Sequence, residues 1–423
     1  MLQVSYIRDN REQVLERLAV KNFKQSDLVD EVIQLDNDRR QTQTSLDNVS
    51  AEANAAAKQV GELMRVGKKD EAEGVKAKTG TLKEEIKNLG EALTAIELEL
   101  QSKLVLLPNL PHASVPKGVT PEDNEVVLEY GSKPNLPANA LPHWELAAKY
   151  KLIDFELGVK ITGAGFPVYL GKGAKLQRAL IAYFLDEAEK AGFAEVIPPL
   201  VVNEASGFGT GQLPDKEGQM YYINEDKLFL IPTAEVPVTN LYRDVILKGE
   251  ELPVKNCAYT QCFRREAGSY GAHVRGLNRL HQFDKVEIVQ IARPDNSYEL
   301  LEQMSAHVQG LLQKLGLHYR VLRLSGGDMS FASALTYDME TWSAAQQRWL
   351  EVSSVSNFET FQSNRLKLRF RNAEGKTQLA HTLNGSALAL PRIVATLLEN
   401  NQTEKGIKIP EVLVPYTKFE WID

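Results

Sequence analysis

Residues 262–288 read CFRREAGSYGAHVRGLNRLHQFDKVEI, a stretch that crowds arginines, a histidine and acids between two alternating apolar flanks. In an extended strand, residues two apart share a face. That rule groups Thr260, Cys262, Arg264 and Glu266 on the outgoing segment. On the returning one it groups Arg279, His281, Phe283, Lys285 and Glu287, if the extended backbone begins that early. An Arg, a Glu, an aromatic ring and a second Glu on one sheet surface suit an apolar core badly, because each buried charge needs its own partner. Parity leaves two readings open. One is a solvated face laced with cross-strand ion pairs. The other is a ligand face with a guanidinium for phosphate, a ring for stacking, and carboxylates for an ammonium or exocyclic amine.

Outward from this hairpin, apolar alternation, glycines and aromatics predict further strands at about 228–236 and 366–371, and helices at about 175–191, 297–315 and 392–399. Strands interspersed with long helices, without regular alternation, predict an α+β domain with a mostly antiparallel sheet. Three more segments carry polar groups. In LIPTAEVPVTN, Thr233 and Glu235 share a face at the end of an apolar strand. LEVSSVSNF places Glu351, Ser353 and Ser354 in a polar run after a helical stretch, oxygen chemistry that suits a hard cation such as magnesium. AHTLNGSALALPRIVATLLENNQ reads as a strand end, an Asn-Gly turn and a helix capped at or near Ser386, with Pro391 in its early turns. Arg392 then opposes the helix dipole. An anion held by helix amides and Arg392 together reconciles the two; an arginine paired with a surface acid is the plainer alternative.

The N-terminal quarter has a different grammar. From about residue 26 to 103 it is rich in Ala, Glu, Lys, Leu and Gln, which is helix composition. Leu46, Val49, Ala53, Ala56, Val60 and Leu63 form one heptad seam, and Leu82, Ile86, Leu89, Leu93, Ile96 and Leu100 form another. Gly67, Gly74 and Gly80 interrupt the pattern between them, so the seams fold back as an antiparallel pair. Arg39 and Thr42 predict a local irregularity in the first seam's upstream extension. Such a hairpin is either a dimerising coiled coil or an arm that reaches a long partner. Arg65, Lys68, Lys69, Lys76 and Lys78 near the turn are either phosphate contacts or a solvated face. Pro108, Pro111 and Pro116 end the helical pattern and divide the chain into residues 1–108 and 109–423.

Composition bounds the rest. Of 423 residues, 43% are hydrophobic and 25% charged, and the formal net charge of -7 argues against nucleic-acid binding by bulk positive charge. Two cysteines, Cys257 and Cys262, are too few for a disulfide framework or a structural zinc site, and read as packing residues. The charged start MLQVSYIRDNREQV and the lack of a long apolar run predict a soluble cytoplasmic protein with no membrane segment.

Taken together, the segments resemble the bacterial seryl-tRNA synthetases, a family of class II aminoacyl-tRNA synthetases. TAEVPVTN resembles the family's serine-binding strand, FRREAG with RGLNRLHQFDKVE its motif 2, HTLNGSALALPR its motif 3, and GFAEVIPPLVV its motif 1, which helps form the dimer interface. The helical hairpin is similar to its tRNA-binding arm. The resemblance covers essentially the whole chain, and implies a coiled-coil arm followed by a class II catalytic domain that joins serine to tRNA at the expense of ATP. Carried over by position, it implies that Arg264 and Arg392 are catalytic, binding the α- and γ-phosphates of ATP. Glu266 contacts the adenine and Phe283 stacks on it, with Arg265, Leu280, His281, Gln282, Val352 and Ser353 in the same pocket. Glu351 and Ser354 hold magnesium. Thr233, Ala234, Glu235, Arg279, Glu287, Asn384 and Ser386 surround serine, while serine tRNA, and possibly selenocysteine tRNA, is the acceptor of an obligate homodimer. The tip, with Gly268, Gly271, His273, Arg275 and Gly276, is expected to be a mobile loop that meets the tRNA end. Arg265, Ala387, Pro391 and Val355 depart from residues common in the family, without removing an implied ligand. Two other readings, a synthetase paralogue that loads a carrier protein and a non-catalytic RNA-binding relative, are disfavoured by the complete hairpin and by the set Arg264, Glu266, Glu287, Glu351 and Arg392.

Overall fold

The computed structural model describes residues 1–137, 139–215, 218–266, 271 and 274–423, so of the expected tip loop Gly268 and His273 lie outside the described residues. The chain divides into two compact units, one formed by residues 2–19 and 23–108, the other by Met1, residues 20–22 and residues 109–423.

In the first unit, helices α1 (Asp27–Arg65) and α2 (Lys69–Leu104) form the antiparallel hairpin. Ala53, Ala56 and Leu82 are its buried seam, with Val49, Val75 and Ile86 packed against them. Small residues on α1 let the larger ones of α2 approach closely. Only Gly67 makes the turn, at φ +79°, a left-handed value that favours glycine. Gly74 and Gly80 lie inside α2, contrary to expectation; a Cβ at either would touch nothing within 4 Å, so they face outward and the helix passes through them. The irregularity expected at Arg39 and Thr42 is also absent. α1 continues, because the buried carboxylate of Asp36 accepts from Arg39 at 2.9 Å and Arg8 at 2.6 Å and so satisfies the polar break.

The second unit is built on an eight-stranded sheet. In chain order its strands are β1 (Glu125–Tyr130), β2 (Ala194–Glu195), β3 (Val254–Phe263), β4 (Gln282–Ala292), β5 (Tyr319–Arg323), β6 (Leu335–Ser343), β7 (Arg348–Asn357) and β8 (His381–Ala389). They lie in the order β1-β5-β6-β7-β8-β4-β3-β2, antiparallel except for β2 beside β3. The helices that build its core and site are α3 (His143–Lys149), α4 (Gly171–Lys190), α5 (Glu235–Asn240), α6 (Ser297–Lys314), α7 (Thr360–Leu366) and α8 (Leu390–Asn400). Alternation assigns the two faces. Cys257, Val286, Ile288, Met339, Val355 and Leu383 enter one large core with apolar residues of α4, α6 and α8. Their neighbours in sequence, among them Thr260, Lys285, Glu287, Asp338, Asn384 and Ser386, belong to the opposite face by register.

Several expected elements differ. The strand expected through residue 236 ends at Leu230, and Glu235 opens α5, whose first turn accommodates Pro237 because its missing N–H is not needed there. Thr233 and Glu235 therefore do not share a strand face; Thr233 Oγ1 accepts the Glu235 backbone N–H at 3.2 Å. β3 stops at Phe263 and β4 starts at Gln282, so Arg264, Glu266, Arg279 and His281 lie beyond the ladder, and Glu266 has φ +47°. Strand parity does not group them. The segment before Glu351 is the hairpin of β6 and β7, not helix, and in it Trp342 meets Trp349 edge to face at 5.3 Å. Leu366 ends α7, and the strand expected from that residue runs only from Arg369 to Arg371. Asn384-Gly385 is not a turn but the middle of β8. A Cβ on Gly385 would come within 2.9 Å of Val355 Cγ2, so the glycine permits close approach of β7 and β8. Ser386 caps nothing, since α8 begins at Leu390 without a side-chain cap.

Candidate active site

The polar face of β3, β4, β8, β7 and β6 carries three groups of side chains. In the first, Lys285 and Glu287 are two apart on β4 and form a buried ion pair at 2.5 Å. Lys285 also donates to Thr233 Oγ1 at 2.8 Å, and Ser386, directly opposite Glu287 on β8, donates to its carboxylate at 3.5 Å. Glu235 is brought alongside by α5, which packs on β4. Its Oε1 accepts from Gln362 Nε2 at 2.6 Å, and Gln362 Oε1 accepts from Thr382 at 2.6 Å, which fixes the amide's orientation. Burial first, and then the neighbouring Glu287 carboxylate, push Glu235 up to about 7. The Gln362 amide and the Lys285 ammonium hold it down in part, while Asn384 Nδ2 is buried without a hydrogen-bond partner among the described residues. Two carboxylates, one ammonium and a spare amide donor make a pocket whose charge and hydrogen bonding are incomplete.

The second group surrounds Arg264. Its guanidinium lies 5.2 Å from the Phe283 ring centroid and donates to the Pro232 carbonyl at 3.3 Å, with no carboxylate in salt-bridge distance among the described residues. A half-buried cation on an aromatic face without a counter-ion is suited to an anionic ligand. Glu266 and Arg279, implied contacts of different ligands, are ion-paired with each other here. The Arg264 backbone is fixed by His281: the Arg264 N–H donates to the His281 carbonyl at 2.9 Å, and His281 Nδ1 lies 3.0 Å from the Arg264 carbonyl. His281 stacks on Phe166 at 5.4 Å, and Gly165 at φ +82° leaves the space that ring needs. Arg265 is exposed, its backbone N–H donating to the Gln219 carbonyl at 2.8 Å.

The third group lies at the β6–β7 end. Ser354 is opposite Asp338, and Glu351 is opposite Glu340. Burial, then Glu351, push the Asp338 carboxyl well above the usual carboxylate range, and its Oδ1 is buried without a partner among the described residues. Arg392, from the first turn of α8, donates to the Glu351 carbonyl at 2.7 Å and the Asn278 carbonyl at 3.0 Å, and lies 3.5 Å from the Glu351 carboxylate. Among the described residues no three His, Cys, Asp or Glu converge as a metal cage. The oxygens of Glu351 and Ser354, with the unpartnered Asp338 Oδ1 on the residue opposite Ser354, nevertheless have the chemistry for a magnesium ion that takes most of its ligands from water and phosphate.

The structure thus brings Thr233, Glu235, Glu287, Asn384 and Ser386 together, and places Arg264 on Phe283 and Arg392 on Glu351. Ser353 is buried, with its hydroxyl donating to the Ser386 carbonyl at 2.5 Å. Leu280 and Val352 have their side chains in the main core, and Ala234 packs with Ala258 and Val289, which leaves these three only backbone to offer a ligand. Gln282 begins β4 opposite Phe263. Lys285, Gln362, Asp338 and Glu340 were absent from the expected site. Parity alone signals Lys285, on the face of Phe283 and Glu287; nothing local signals the others, which arrive from α7 and β6.

Comparison with known proteins agrees with this architecture. A family model described as seryl-tRNA synthetase N-terminal domain matches residues 1–111, and one described as tRNA synthetase class II core domain (G, H, P, S and T) matches residues 221–401. The serine--tRNA ligase of Salinibacter ruber is 51% identical over 99% of this chain and 98% of its own length. That of Akkermansia muciniphila is 46% identical over 98% and 97%. Among solved structures, seryl-tRNA synthetase from Pyrococcus horikoshii complexed with ATP superposes with a TM-score of 0.93 at 32% identity, covering 100% of this chain and 99% of that one. With both domains and the full length matching proteins of one kind, the chain belongs to the seryl-tRNA synthetase family of class II aminoacyl-tRNA synthetases.

Proposed function

We propose that the chain activates L-serine with ATP and transfers it to the 3′ end of serine tRNA. The observation that carries this reading is the pairing, on one sheet face, of an ammonium-accepting pocket with an arginine on an aromatic ring that has no counter-ion among the described residues. Glu235 and Glu287 take the serine ammonium and hydroxyl, with Thr233, Asn384 and Ser386 around them, and Arg279 leaves Glu266 to meet the carboxylate. Glu266, freed, accepts from the adenine amine, and Phe283 stacks on the base. A serine carboxylate oxygen then bonds to the α-phosphorus as the bond to the β-phosphate oxygen breaks, giving seryl-adenylate and pyrophosphate. Arg264 faces the α-phosphate and stabilises charge that grows in that step, and Arg392 turns from Glu351 to the terminal phosphates. Glu351 and Ser354 would hold a magnesium ion, which supplies charge neutralisation at the phosphates. A ribose hydroxyl of the tRNA end then attacks the acyl carbon, and AMP leaves.

No protein nucleophile is required. A pocket built to hydrogen-bond the serine hydroxyl rejects alanine by leaving buried polar groups unpaired. The hairpin grips tRNA by shape and backbone, in a homodimer in the cytoplasm. Serine tRNA is the acceptor in this reading, and a selenocysteine tRNA is not included. Among the described residues no helix is long and apolar enough to cross a membrane. Serine-dependent exchange of labelled pyrophosphate into ATP, with magnesium present, tests the reading; no exchange would sink it.

A further inference from the structure

The return limb of the motif 2 segment is clamped by residues that neither the implied ligand contacts nor the reaction uses. His143, first residue of α3, is fully buried. Its Nε2 accepts the Leu277 backbone N–H at 2.8 Å, so that nitrogen is unprotonated and the ring proton is on Nδ1, 2.7 Å from Glu399 Oε1. Burial alone would raise the Glu399 carboxyl, but donation from His143, and from Ser343, holds it below its ordinary value. The carboxylate also accepts from Gln346 at 3.0 Å, and Gln346 Oε1 accepts from the Asn278 side chain at 2.9 Å. Glu399 therefore braces Leu277 through His143 and Asn278 through Gln346. Contact continues on either side. The Arg275 guanidinium lies 4.8 Å from the Trp144 ring centroid, and a Cβ on Gly276, at φ +68°, would be 2.3 Å from His143 Nε2.

The braced segment ends on Arg392. Arg392 and Glu399 belong to the same helix, α8, and their separation of seven residues puts them two turns apart on one face. At one end of that face Glu399 holds Leu277 and Asn278. At the other, Arg392 Nε donates to the Asn278 carbonyl at 3.0 Å. We propose that His143 is a positioning residue for adenylate formation: braced by Glu399, it fixes the Leu277–Asn278 backbone and thereby the carbonyl that aims the Arg392 guanidinium at the ATP phosphates. This rests on the phosphate-binding reading of Arg392 given above.

The test is pyrophosphate exchange by the full-length chain, with ATP varied at saturating serine. H143N keeps a donor for Glu399 and loses the acceptor for the Leu277 N–H; H143Q restores an acceptor near the Nε2 position. H143N should raise KM for ATP about tenfold or more, since a misplacement of an ångström at a catalytic site costs up to about 100-fold. H143Q should recover most of that loss. In an R392A background H143N should add little, because residues that act through one another are not additive. A full additive cost of H143N in that background, with R392A itself impaired, overturns the role of His143 and leaves the reading of Arg392 standing. A normal KM for ATP in R392A overturns that reading instead. If H143N fails to fold, G276A replaces it, its Cβ pushing the loop off His143 Nε2 while every buried side chain is kept. The same rise in KM for ATP, absent in the R392A background, is expected, and an unchanged KM overturns the proposal.

Discussion

The hairpin of α1 and α2 buries one seam of Ala53, Ala56 and Leu82 and leaves most of its surface to water. β4 and β8, in contrast, are buried almost from end to end, with Lys285, Glu287, Asn384 and Ser386 among the buried residues. Along the hairpin seam the buried groups are apolar, and its charges are solvated except for Asp36, which is buried and paired with Arg8 and Arg39, so stability and surface function are largely carried by different atoms. On the sheet face the atoms that are costly to bury are the ones offered to ligands. The hairpin can be changed without touching the chemistry, whereas on the sheet face fold and chemistry are altered together. Removing residues 26–103 and bridging the gap with a short linker is the largest test of that separation. Pyrophosphate exchange should persist while tRNA charging is abolished; equal loss of both would make the hairpin a structural element of the active unit.

On the sheet face the sharpest change is Arg264→Ala. Its guanidinium has no carboxylate partner among the described residues to strand, so the fold should survive, and exchange should fall by about 100- to 1000-fold, the usual cost of one donor that stabilises transition-state charge. Circular dichroism and a sizing column check that the protein is folded. An unfolded variant would return this face to the ion-pair reading.

The same contrast explains what was legible in the sequence. Heptad spacing revealed Val49, Ala53, Ala56, Leu82 and Ile86 because a seam is a local, periodic property. It failed at Gly74 and Gly80, where composition suggested a break, yet outward-facing glycines within a long helix lower its stability without ending it. Within β4, parity correctly put Phe283, Lys285 and Glu287 on one face. It failed wherever the ladder stopped short: Arg264 and Glu266 lie past the end of β3, and Glu235 lies on a helix. Parity had singled those residues out on an extended backbone they do not have, and the resemblance implied roles for them that do not depend on it. Gln362 and His143 were missed for another reason. Each is bonded to groups more than a hundred positions away, and neither lies in a motif that reveals such a partner.

Leu82→Ala tests the hairpin at a smaller scale. Truncating a buried leucine costs about 2–5 kcal/mol in a core, and the lower end is expected here, where the seam is one layer deep. The hairpin should open locally, seen as faster amide exchange confined to α1 and α2, with pyrophosphate exchange unchanged. Spread of the loss into β4 or β8 would erase the distinction between the two regions.

The smallest effect is a pH dependence near neutrality on the sheet face. Glu235 is raised from the usual 4.5 to about 7, chiefly by burial. The native protein therefore holds a proton that the unfolded chain has released over that interval. Stability from this group is complete below the ordinary carboxylate value and is lost as pH rises through about 7. Serine binding should run the other way, because the ammonium is held best by an ionised Glu235. KM for serine should fall a few-fold across the same range while the melting temperature of the ligand-free protein declines. E235Q should lose both slopes, melting higher than the wild type on the alkaline side and binding serine weakly at every pH. If both proteins lose stability equally as pH rises, the buried proton is not on Glu235, and the pH dependence no longer belongs to this pocket.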